Sequence, residues 1–94
     1  MRMVINFYAT LRPIAGKKAV AFELPKDTTV RELLSAVVTR FPPMRRELLD
    51  ERGELYPHVH LFVNGRDTPY LEHAAETVIR DGDKVDIFPA VGGG

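Results

Sequence analysis

The sequence predicts an α+β domain in which one mixed sheet of four to five strands packs on one main helix. Three observations predict it. Thr29-Val30-Arg31-Glu32 opens a helix with a long apolar stripe. Segments of strand-like alternation stand on both sides of that helix. Asn64-Gly65 and Asp81-Gly82 are tight-turn dipeptides that divide the second half into short strands. Strands on either side of a single amphipathic helix give a sheet with one covered face.

The first strand is expected over residues 2–8. Met3, Ile5 and Phe7 point one way, and Arg2, Val4, Asn6 and Tyr8 the other. Residues 9–17 read as a turn region because they contain Pro13 and Gly16. A second strand is expected over 18–24, with Val20, Phe22 and Leu24 on one face. Two strands joined this closely suggest a hairpin.

The helix is marked by a capping box, with Thr29 at the N-cap and Glu32 three residues on. Val30, Leu33, Leu34, Val37, Val38 and Phe41 follow at helical spacing and make one stripe. Pro42-Pro43 ends it. Residues 44–50 suggest a second, short helix that buries Met44, Leu48 and Leu49, with a loop over 51–57.

A third strand is expected over 58–63, with Val59, Leu61 and Val63 inward. A short strand is expected at 68–71 after the Asn64-Gly65 turn, whereas 74–79 carries no clear pattern. The last strand, 84–88, turns Val85 and Ile87 inward. The order is ββαβ(β)β, with first and last strands inside one sheet. This is the β-grasp arrangement.

Ninety-four residues fit one domain with a modest core, burying about 60–65% of the unfolded surface. Thirteen basic residues balance 13 acidic ones, which argues against nucleic acid or an anionic membrane as partner. No apolar run approaches the ~20 residues of a membrane span. Met1-Arg2-Met3-Val4 has no signal-peptide layout, so the expected compartment is the cytoplasm. Without cysteine the chain has no disulfide, thiolate nucleophile or thiolate-bound metal.

The last seven residues, Phe88-Pro89-Ala90-Val91-Gly92-Gly93-Gly94, divide the chain into a domain (1–88) and a tail (89–94). Glycine-rich ends are commonly frayed or serve as linkers. A tail ending in three glycines is also narrow, and is expected to be mobile enough to enter a cleft that any Cβ would block. Its chemical handle is then the terminal carboxylate of Gly94.

Several pieces in this order resemble one known family. They are Tyr8-Ala9-Thr10-Leu11-Arg12, Thr29-Val30-Arg31-Glu32-Leu33-Leu34, Leu61-Phe62-Val63-Asn64-Gly65, Asp81-Gly82-Asp83-Lys84-Val85 and the tail itself. Together they resemble the ubiquitin-like sulfur carriers: the small subunit of molybdopterin synthase and its relatives in thiamine and cysteine synthesis. The synthase subunit usually has a second proline at the place of Ala90 and commonly a non-glycine at that of Gly92. The Pro89-Ala90-Val91 form, like Leu11-Arg12-Pro13, is closer to the cysteine-pathway carrier. The thiamine carrier typically lacks much of segment 44–57, which points away from that pathway.

The resemblance implies a mechanism. A carboxylate is a poor electrophile, so an E1-like activating enzyme uses ATP to adenylate the terminal glycine. A sulfur donor then displaces AMP and leaves a thiocarboxylate. In this chain the acyl carbon belongs to Gly94, and Gly93 and Gly92 supply reach. The sulfur passes to a large synthase subunit or a cysteine-synthase-like enzyme. The carrier itself binds no cofactor.

Strand parity adds a partner surface. If Val85 and Ile87 face the helix, Phe88 faces away. By the same alternation Phe62, Val4 and Tyr8 face away too. Exposed apolar and aromatic groups beside the tail root suggest an interface built from Tyr8, Phe62, Phe88, Pro89, Val91 and Gly92. Loops or segment 44–57 covering that face is the other reading. His58 and His60 lack a third ligand at metal-binding spacing and read as exposed strand residues, so no metal site is expected. Two other functions use the same fold: a protein modifier whose activated glycine joins a lysine, and a passive ubiquitin-like binding module.

Overall fold

A computed structural model describes residues 1–89. Its elements are β1 (Arg2–Phe7), α1 (Leu11–Ala15), β2 (Ala19–Glu23), α2 (Val30–Arg40), α3 (Met44–Leu48), β3 (His60–Val63), β4 (Arg66–Asp67) and β5 (Val85–Phe88). The five strands form one sheet in the order β2-β1-β5-β3-β4. β1 pairs antiparallel with β2 and parallel with β5, and β5 pairs antiparallel with β3. The sheet is therefore mixed, and β5 is its central strand. This is the expected α+β β-grasp architecture.

The core lies between the sheet and α2. Met3, Ile5 and Phe7 of β1, Val20 and Phe22 of β2, Leu61 and Val63 of β3, and Val85 and Ile87 of β5 are all buried. They face Val30, Leu33, Leu34, Val37 and Val38 of α2. Strands and helix thus bury the stripes their periods of 2 and 3.6 predict. The capping box is present: the Glu32 amide donates to Thr29 Oγ1 at 3.1 Å, and the Thr29 amide to Glu32 Oε1 at 2.9 Å. α2 ends at Arg40, with Phe41 as its C-cap just before Pro42-Pro43. The Phe41 ring meets Phe7 and Phe22 edge-on. α3 buries Met44 and Leu48, and Leu49 is buried just after it.

Three local expectations change. Segment 9–17 is not all turn, since α1 occupies Leu11–Ala15 and buries Leu11. Gly16 caps it in the left-handed region at φ 85°, its amide donating to the Arg12 carbonyl. The strand expected at 68–71 is displaced. β4 is Arg66–Asp67, and a 3-10 helix, Thr68–Tyr70, follows. Asn64 and Gly65 both have positive φ (52° and 83°), the two-residue turn that returns the chain to pairing at once. Pro69 lacks the amide to continue a ladder. β3 begins at His60, so His58 lies outside it.

Arg31 joins α2 to the 51–57 loop and to the second 3-10 helix, Ala74–Glu76, by ion pairs with Glu54 and, at 2.6 Å, Glu76. The guanidinium holds the Glu54 carboxyl below its ordinary range. Among the described residues, no helix is long and apolar enough to cross a membrane.

Candidate docking face and tail root

The sheet face away from α2 carries the candidate site. Alternation along β5 turns Val85 and Ile87 into the core, and leaves Asp86 and Phe88 on the outer face. Register then sets their neighbours. Asp86 lies between Asn6 of β1 and Phe62 of β3, and Phe88 pairs with His60. Tyr8 follows β1, its amide continuing the ladder to the Ile87 carbonyl at 3.2 Å.

The predicted aromatic residues come together. Tyr8 stacks on Phe88, with ring centroids 4.0 Å apart and planes 12° from parallel. Phe62 meets Phe88 edge-on at 5.5 Å. His60 stacks on Phe62 at 5.9 Å. The three rings are half-buried rather than fully exposed, because each shields the next. They are not members of the core. Val4, expected on the same face, is 44% exposed. Pro89 is buried at the end of β5. Val91, Gly92, Gly93 and Gly94 lie outside the described residues.

Strand parity alone does not reveal the polar centre of this face. Asp86 is only 7% exposed, although it stands on the outer side of the sheet. Its Oδ1 accepts from Asn6 Nδ2 at 3.0 Å and from the Tyr8 hydroxyl at 2.9 Å. The hydrogen bond to Asp86, then desolvation and the carboxylate's charge, raise the Tyr8 phenol above its ordinary value of 10.0. Lys18 places its ammonium 5.4 Å from the centroid of the Tyr8 ring. The signal in the sequence was the residue type: aspartate is depleted in strands, and Asp86 stands in the middle of the last one.

The two histidines do not share a strand face. His58 is exposed and stacks on Tyr56. His60 Nδ1 lies 2.7 Å from Asp67 Oδ2. Among the described residues, no group of three or more His, Cys, Asp or Glu side chains could hold a metal ion. A cleft of about 300 Å³ opens between α2 and the 53–57 loop, with His60 and Asp67 also in its lining. Tyr8, Phe62, Phe88 and Pro89 do not line it. The aromatic cluster is a surface rather than a pocket, the form suited to docking a protein.

The fold and this face define a ubiquitin-like domain whose central strand leads directly into its glycine tail. The chain belongs to the ThiS family, whose match covers residues 5–94. It is 34% identical over 94 residues to small archaeal modifier protein 3 of Haloferax volcanii, covering 100% of both chains. It is 31% identical over 97 residues to the sulfur carrier protein CysO of Mycobacterium tuberculosis, again covering 100% of both. The crystal structure of SAMP1 from Haloferax volcanii superposes with a TM-score of 0.85 at 30% identity, covering 100% of both chains. This is a family of ubiquitin-like sulfur carriers and modifiers.

Proposed function

We propose that this chain is a sulfur carrier that works through Gly94. An E1-like activating enzyme transfers AMP from ATP to the Gly94 carboxylate and releases pyrophosphate. A sulfur donor displaces AMP and leaves the thiocarboxylate. The new sulfur is a nucleophile, and it is delivered in the active site of a larger synthase subunit or a cysteine-synthase-like enzyme. The chain acts as a carrier or as the small subunit of a two-subunit synthase. ATP belongs to the activating enzyme, and the carrier needs no bound cofactor. The cytoplasm, which holds ATP, is the proposed compartment.

The observation that carries this reading is the place of β5. It is the central strand and runs through Phe88 into Pro89, beside the Tyr8–Phe88–Phe62 cluster. The tail root and the docking face are therefore one surface. A partner that grips the rings receives the tail from a fixed origin, which is how positioning assists a transfer reaction. Pro89, buried at the end of β5, would fix the tail root, Val91 and Gly92 would pass through the channel of that partner, and Gly93 and Gly94 would reach its active site. The Pro89-Ala90-Val91 sequence and the likeness to CysO favour cysteine synthesis over molybdopterin synthesis as the destination.

The likeness to small archaeal modifier protein 3 favours a second reading, in which the activated Gly94 forms an isopeptide bond with a lysine. Both readings need adenylation, and trapping separates them from passive binding. With ATP and the activating enzyme, hydroxylamine should convert Gly94 to a hydroxamate. No hydroxamate at any enzyme concentration would leave the passive ubiquitin-like module as the better account. Lysine-linked Gly94 in digests of cell proteins would support the modifier reading.

A further inference from the structure

The Asp86 carboxylate is half used. Asn6 Nδ2 and the Tyr8 hydroxyl both donate to Oδ1. Among the described residues no donor hydrogen-bonds to Oδ2. Lys84 Nζ is 3.9 Å away, beyond hydrogen-bond reach, and its side chain is 68% exposed. No buried side-chain nitrogen or oxygen among the described residues lacks a partner, so Oδ2 opens to the surface. A carboxylate offers roughly four acceptor positions, and the two on Oδ2 take no hydrogen bond from the described residues.

Aspartate is depleted in strands, and a carboxylate this nearly buried becomes costly when a partner covers its open oxygen without supplying a donor. The other carboxylate at this end of the sheet, Asp67, is filled: Oδ1 accepts from the Thr68 amide, and Oδ2 contacts His60. Asp86 keeps an open oxygen, with Phe62 beside it in register and the stacked Tyr8–Phe88 pair one row on. An exposed ammonium such as Lys84 is strongly hydrated. A guanidinium is planar, less hydrated, and able to stack on rings while its N–H groups bond a carboxylate.

We infer that Asp86 Oδ2 is an arginine-receiving position, where a partner protein lays a guanidinium on the oxygen between the rings of Phe62, Tyr8 and Phe88. Docking moves Lys84 aside and completes the carboxylate's hydrogen bonds. The position then selects partners, since one lacking the arginine leaves Oδ2 buried without a donor. The inference rests on the carrier reading only in taking the activating enzyme as the first partner to test.

Asp86→Asn is the discriminating variant, because its amide oxygen still accepts from Asn6 and Tyr8 while its NH2 meets the arginine. In calorimetric titrations of the activating enzyme, this variant should bind at least about thirtyfold more weakly than wild type, the scale for losing one partner of an interfacial charge pair. Equal affinities would overturn the inference, even with adenylation intact. In the second arm, wild-type chain is titrated by NMR with N-acetyl-arginine amide and its neutral analogue N-acetyl-citrulline amide. The Asn6 side-chain amide should shift with the arginine compound only. Equal shifts from both would overturn the inference. An enzyme that ignores the wild-type chain counts against the carrier reading, and the arginine titration then decides the inference alone. A concentration-dependent dimer broken by Asp86→Asn would assign the face to a second copy and overturn the partner assignment.

Discussion

Tyr8 shows how single residues join the sheet to its outer surface. Its ring stacks on Phe88 and its hydroxyl donates to Asp86. The folded state holds the phenol proton more tightly than the unfolded chain, above the ordinary 10.0. Its contribution to stability is therefore full below pH 10.0 and lost as pH rises from there through the folded value. Absorbance difference titration of wild type against Tyr8→Phe reads this phenol alone. It should show ionisation above 10.0, moved down towards 10.0 by Asp86→Asn. An unshifted Tyr8 would mean that the hydrogen bond to Asp86 does not persist in solution. Phe88→Glu tests the neighbouring ring. The domain should stay folded, because Phe88 is not a core residue, while affinity for the activating enzyme falls about tenfold or more, the scale of an interface anchor. Unchanged binding would remove the face from the docking account. Alternation along three strands was enough to place Phe62, Phe88 and Tyr8 together. Asp86 escaped notice because parity gives a side, not a hydrogen-bond partner, and Asn6 is 80 residues away in sequence.

Among the elements, α2 was legible because it states its beginning, face and end. The box at Thr29 and Glu32 starts it, the stripe orients it, and Pro42-Pro43 follows its close. Thr29→Ala should cost about 1 kcal/mol by chemical denaturation. Leu33→Ala, which empties a fully buried position, should cost about 2–5 kcal/mol. A loss at Leu33 no larger than at Thr29 would contradict the assignment of this stripe to the core. The shorter elements were less legible. α1 has five residues, too few to display a helical period, and Thr10 makes no side-chain cap. Pro13 suggested a turn, yet at the third helical position it needs no intrahelical amide partner. β4 starts earlier than the apolar pattern implies, because the Asn64-Gly65 turn fixes its start by geometry. At the sheet edge, Arg40 donates to the Ala21 carbonyl at 2.7 Å and lies 4.8 Å from the Phe22 ring centroid. It occupies an acceptor on β2 that would otherwise invite another strand.

For the whole molecule, the decisive feature is that the last strand is the middle one. β5 lies between β1 and β3, so the end of the domain is held by ladders on both sides. Strands and helix order made this arrangement readable, while the exact partners along each ladder needed the fold. In the proposed carrier role, the partner acts on Gly94 beyond a strand that the sheet holds on both sides. The direct measurement is intact mass after incubation with ATP, the activating enzyme and a sulfur donor. The chain ending at Gly94 should gain the mass difference between sulfur and oxygen. A chain lacking Gly93 and Gly94 should gain nothing, with an unchanged unfolding midpoint. Equal sulfur uptake by the intact and shortened chains would contradict the account.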